Sequence, residues 1–183
     1  KRSYFIAAII LAFITVFTSG NGITVLPLGM AMLTITRRWR QLGIWSIAGL
    51  IFVALYFLNF EYPSATNPDS KASLIDYFKG YLLFLGSFAE SLPVQNKQSV
   101  SILAGSLLLV MTMMIVYHAL LNLLKDQYAL AWQKKLDLFA LTVFAFILGT
   151  GLIVVYGRTG FGIETLLTSR YKIYSLLLVV TIY

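Results

Sequence analysis

Residues 99–124 read SVSILAGSLLLVMTMMIVYHALLNLL, a run of 26 without one charged side chain. At a rise of 1.5 Å per residue this makes a helix of roughly 39 Å, longer than the ~30 Å hydrocarbon core of a bilayer. A helix at the surface of a soluble protein keeps a polar face along its length. The run therefore predicts a membrane-spanning helix. Composition carries the same message, with 59% of residues hydrophobic and 11% charged, against roughly 45–50% and about 25% in ordinary globular chains. Lipid as solvent needs no charged surface but requires backbone polar groups to bond internally. The expected fold is all-α, a polytopic transmembrane helical bundle.

Working outward, residues 3–36 are also free of charge but are broken by Ser19-Gly20-Asn21-Gly22, which is turn chemistry. They read as two short arms, 4–18 and 23–36, ended by the basic cluster Arg37-Arg38-Trp39-Arg40. Further spans are expected at 42–59, 138–157 and 173–183, making about six in a single transmembrane domain over 1–183. The last run falls short of the ~20 residues a spanning helix needs, and the chain opens on Lys1. It is therefore expected to be a piece of a longer protein.

Between the third and fourth spans, residues 60–98 are mixed in character and punctuated by Pro63, Pro68 and Pro93. Within them, 71–90 places Leu74, Ile75, Phe78, Leu82 and Leu85 on one helical face, with Asp76 and Lys79 toward the other. That pattern predicts an interfacial helix in an outer loop. With residues 37–40 and 125–135 in the cytoplasm, that side carries eight Lys/Arg against two Asp; the other carries six against five acidic residues. The positive-inside rule then places 60–98 and 158–172 on the periplasmic side of a bacterial inner membrane.

The net charge of +7 thus sorts into loops, which points to the bilayer as partner and not to nucleic acid. Arg37, Arg38 and Arg40, with Lys134 and Lys135, read as topology determinants in contact with anionic lipid. There is no cysteine and a single histidine, His118, so thiolate chemistry is excluded and no metal site or cofactor is expected. His118 lies near the cytoplasmic end of its span, where a neutral, hydrogen-bonded imidazole is the plainer reading. No span contains Asp, Glu, Lys or Arg, which argues against a charge relay within them. Glu61, Asp69, Asp76 and Glu90 show no paired spacing and read as carboxylates of a solvated loop.

Gly157-Arg158-Thr159-Gly160-Phe161-Gly162 lacks the Lys-Ser/Thr ending of a phosphate loop. Just beyond it, Arg158, Arg170 and Lys172 lie close in sequence with Tyr171. Two readings stay open for that group: interface anchors, or ligands for a lipid phosphate, since guanidinium matches phosphate bidentately.

The order Ser19-Gly20-Asn21-Gly22-Ile23, Pro27-Leu28-Gly29 and Arg37-Arg38-Trp39-Arg40 resembles the middle of bacterial GT-C-type membrane glycosyltransferases. The stretch from Gly157 to Gly162, with Ser169-Arg170-Tyr171-Lys172-Ile173-Tyr174-Ser175, is similar to bacterial polytopic proteins of that general shape. The resemblance implies sugar transfer from a polyprenyl-phosphate lipid on the periplasmic side, in cell-envelope glycan assembly. No residue here matches that class's catalytic carboxylate loop. Arg158 and Arg170 are the positions it nominates as donor-phosphate ligands. The alternatives are a non-catalytic subunit or anchor bound to other membrane subunits and, third, a transporter component.

Overall fold

The computed structural model describes residues 2–18, 20–58, 73–125, 131–167 and 169–183, with the backbone alone at 2, 20, 131, 164, 169 and 170. Every regular element among them is helical: α1 (Arg2–Thr18), α2 (Val25–Ile35), α3 (Trp39–Phe57), α4 (Leu74–Leu85), α5 (Lys97–Lys125), α6 (Ala131–Arg158) and α7 (Ser169–Ile182). Short 3-10 turns lie at Gly20–Thr24, Ser87–Ser91, Thr159–Phe161 and Ile163–Leu167. Three helical stretches are long and apolar enough to cross a membrane: Trp39–Phe57, Lys97–Lys125 and Trp132–Phe161. The other three expected spans fall in α1, α2 and α7, apolar but only 17, 11 and 14 residues long. The chain divides into two compact units, Lys1–Thr66 and Asn67–Tyr183, where the sequence reads as one domain.

In the first unit, apolar helices whose only charges lie in their first turns pack through small and aromatic side chains. After α1 the chain reverses through Gly20–Thr24, where Gly22 lies so close to the Thr15 carbonyl that a Cβ would overlap it. The hydroxyls of Thr15 and Thr18 donate to the carbonyls of Leu11 and Ile14, at 2.7 and 2.6 Å, and so are satisfied without water. The core is Ala12, Val16, Leu26 and Trp45. Trp45 packs directly on Gly29, and its indole N–H donates to the Leu26 carbonyl at 2.9 Å. That bond pins α3 to α2. Arg37, between these helices, has a φ of 53°, a left-handed conformation uncommon outside glycine and asparagine. There the Arg38 N–H reaches back to the Leu33 carbonyl at 2.9 Å and closes the end of α2.

The second unit is built around α4. Ser73 and Asp76 cap its first turn reciprocally: the Asp76 N–H donates to Ser73 Oγ at 3.3 Å, and the Ser73 N–H to the Asp76 carboxylate at 2.9 Å. From that cap α4 runs antiparallel to the final turns of α6. Tyr77 stacks on Tyr156, Gly80 faces Val155 and Thr159, the Tyr81 hydroxyl donates to the Leu148 carbonyl, and Phe84 rests on Gly151.

The chain then turns at Gly86, pressed against the backbone of Ser101 and Gly105 of α5; a Cβ on either glycine would overlap a carbonyl oxygen. The Ser175 hydroxyl of α7 donates to the Leu85 carbonyl at 2.5 Å and accepts from the Phe88 N–H at 3.3 Å. Beyond the turn, Glu90 meets Lys172, one turn nearer the start of α7. The chain comes back out to begin α5 at Lys97.

Three helices measure how deep the turn lies. Ser101 and Gly105 are about 6–12 Å in from the start of α5, Gly151 about 10 Å from the end of α6, and Ser175 about 9 Å from the start of α7. At these levels α4 and the 3-10 turn at Ser87–Ser91 form a hairpin packed among α5, α6 and α7.

The helix expected over 71–90 is α4, and its burial changes along its length. Leu74, Ile75 and Phe78 are indeed exposed, but Leu82, Leu83, Phe84 and Leu85 are all buried. Four consecutive residues point around almost the full circumference of a helix, so the end of α4 is enclosed on all sides.

Candidate functional site

The end of the second unit where the hairpin enters also receives the cations singled out in the sequence. Arg158 stands exposed at the last residue of α6, and no ion pair joins it to a carboxylate among the described residues. Just past it, Thr159–Phe161 forms a single 3-10 turn closed by Gly162, whose φ of 101° suits a residue without Cβ. The Thr165 hydroxyl donates to the Gly162 carbonyl at 2.7 Å and tightens this turn, while Leu166 is fully buried beneath it. The glycines of this segment thus shape a helix-ending turn.

The remaining members of the group separate. Lys172 Nζ lies 2.5 Å from a Glu90 carboxylate oxygen, each side chain about a quarter exposed. The bond from Lys172 holds the Glu90 carboxyl below its ordinary value, and the charges of Lys172 and Lys97 add to the effect. Tyr171 is buried, with its ring 5.8 Å from that of Phe84. Arg170 belongs to the first turn of α7, and its side chain, like that of Glu164, lies outside the described residues. Glu61 and Asp69 lie outside them as well.

In the first unit, Arg37, Arg38 and Arg40 are exposed at the turn between α2 and α3. In α6, Lys134 is half-buried and Lys135 exposed. His118 is exposed on α5, its ring 5.8 Å from that of Tyr117. Among the described residues no group of three His, Cys, Asp or Glu could hold a metal ion.

The polar centre of the hairpin escaped the sequence reading. Ser87, Ser101 and Ser175 come from the hairpin, α5 and α7, and all three are fully buried. Ser175 is satisfied by the hairpin backbone, whereas the hydroxyls of Ser87, Ser101 and Thr150 have no hydrogen-bond partner among the described residues. A buried hydroxyl left unpaired costs about 1–3 kcal/mol. The available signals were the small pair Ser101 and Gly105, four apart on one helix face, and the adjacent Gly86-Ser87.

No protein-family model matches the chain, and no curated protein and no solved structure matches it either.

Proposed function

We propose that the chain is part of a multi-pass protein of the bacterial inner membrane that handles a polyprenyl-phosphate-linked sugar in cell-envelope glycan assembly. The working surface is the end of the second unit where α6 stops and the hairpin enters. The exposed guanidinium of Arg158, at a helix end and joined to no carboxylate among the described residues, is the observation that supports this reading most. Lys172 is already engaged by Glu90. Donor phosphate would therefore fall to Arg158, with Arg170 of the first turn of α7 as its second nominee. A planar donor pair there would stabilise charge developing on the departing lipid phosphate.

Release of polyprenyl phosphate from a polyprenyl-phosphate hexose, in proteoliposomes carrying the protein, tests this. Arg158→Ala should lose at least tenfold in rate with insertion unchanged, and Arg158→Lys should recover little, because a point charge does not replace the planar fork. Full turnover in Arg158→Ala would end the assignment.

A second reading, a non-catalytic subunit of a larger membrane complex, is favoured by the side of α5 that carries Leu103, Leu107, Val110, Met114 and Tyr117, all exposed. It predicts partners that co-purify in fixed proportion.

A further inference from the structure

Charge is distributed unequally along the chain. Residues 1–60 hold the basic residues Lys1, Arg2, Arg37, Arg38 and Arg40, and no Asp or Glu. In the second unit Lys172 finds a partner in Glu90. Arg37, Arg38 and Arg40 stand exposed at the turn between α2 and α3, and the described residues of the first unit offer them no carboxylate. Helix α3 covers roughly 26 Å from Arg40 to Phe57 before the first acidic residue of the chain, Glu61, is reached. Arg38 instead donates to the neutral amide oxygen of Gln41 at 3.5 Å. Helix α1 begins at this same end, since the Phe5 ring lies 6.5 Å from that of Trp45, so Arg2 joins the group by its place in the backbone.

Three guanidinium groups within four residues repel one another unless an anion joins them, and a phosphate accepts from several at once. Their neighbours select the form of that phosphate. Trp39, between Arg38 and Arg40, is 63% exposed, an aromatic of the kind that sits at headgroup level. Past Arg40 the same side of α3 carries Gly43, Ile44, Ile47 and Ile51, all exposed. A Cβ at Gly43 would meet nothing, so this stripe opens on a place without a side chain. The other side of the helix, with Trp45 and Gly49, is buried in the unit.

We infer that the turn at Arg37–Arg40 holds the phosphate of one anionic phospholipid, with an acyl chain along Gly43, Ile44, Ile47 and Ile51. The lipid supplies the counter-charge that the first unit lacks, and is a structural ligand of that unit beyond any part the arginines play in orienting the chain. The site is separate from the proposed sugar-lipid activity, which rests on Arg158, and shares with it only the bilayer.

Thiol labelling of the purified full chain in detergent tests it, because sidedness has no meaning in a micelle. The chain has no cysteine, so Ala12→Cys and Ala89→Cys, at buried positions of the first and second units, report the opening of each. Exchanging phosphatidylcholine for phosphatidylglycerol in the mixed micelles should slow maleimide labelling at position 12 by about tenfold, the effect of a ligand at about ten times its Kd. The slowing should saturate at one phosphatidylglycerol per chain and leave position 89 unchanged. Replacing all three arginines with glutamine should abolish it. In phosphatidylcholine that variant should open no faster than the parent, since it removes like charges without partners. Replacing all three with lysine keeps the net charge but not the planar fork, and should lose most of the protection. Equal labelling at 12 in the two lipids, or protection retained in the glutamine variant, would overturn the site. So would equal protection by inorganic phosphate in phosphatidylcholine, which would assign the turn to a free anion. Faster opening of the glutamine variant in phosphatidylcholine would overturn it as well, since the arginines would then be paired within the protein.

Discussion

The two units of this chain solve the same problem with different materials. In the first, one large side chain joins neighbouring helices: Trp45 covers Gly29 and bonds the Leu26 carbonyl. In the second, backbone meets backbone, with Gly86 and Gly105 each too close to a carbonyl for any Cβ, and hydroxyls reach across to main-chain groups. A joint made by a side chain can be trimmed and will partly collapse. A joint made by two backbones has no slack, because neither carbonyl can move without breaking its helix. The second unit should therefore be the more brittle of the two, although its core is the larger.

That contrast can be broken at single residues. The chain has no cysteine, so Ala12→Cys and Ala89→Cys, both at buried positions, report the opening of each unit separately through thiol reactivity. The largest effect is expected from Gly105→Val, which should leave a cysteine at 89 reactive under native conditions while one at 12 stays protected. Gly149→Val, on a helix with open space at that position, should leave both protected. If Gly105→Val were as silent as Gly149→Val, the backbone joint would be wrong.

A smaller loss is expected from Trp45→Ala, about 3 kcal/mol by analogy with large-to-small core substitutions, registered at position 12 and not at 89. Trp45→Phe should restore part of the packing but not the bond to Leu26.

The smallest effect is expected from Glu90→Gln, below about 1 kcal/mol, because the pair with Lys172 is partly exposed and screened. Its signature is the pH dependence. Binding to Lys172 lowers the Glu90 carboxyl from its ordinary 4.5, so its contribution is complete above that value. The contribution disappears as pH falls through the lowered one. Melting temperature followed into acid should show a steeper decline for the parent than for Glu90→Gln. Parallel curves would mean that the ion pair does not hold the return limb of the hairpin.

Much of the fold was legible because hydrocarbon imposes a coarse rule. Charge-free runs became helices, Ser19-Gly20-Asn21-Gly22 marked a reversal, and Arg37-Arg38-Trp39-Arg40 marked the junction of α2 and α3. The hairpin was not legible. Its first half, with Leu74, Ile75 and Phe78 exposed, does follow a surface pattern. Its second half is defined by neighbours that sequence distance conceals, such as Ser175, 90 residues from Leu85. The same reason governs the candidate site. Arg158 could be placed at a helix end because charge stops an apolar run, whereas the engagement of Lys172 by Glu90 depends on how deep the hairpin reaches. The unpaired hydroxyls of Ser87 and Ser101 were invisible too, since serine in an apolar helix usually bonds its own backbone.

The close approach of Gly86 and Gly105 has a consequence for register. A residue added to or removed from α4 would rotate Gly86 away from Ser101 and bring a side chain to a place where none fits. Length is therefore fixed at this point more tightly than composition, and variation that keeps both glycines in place is the kind the unit can absorb.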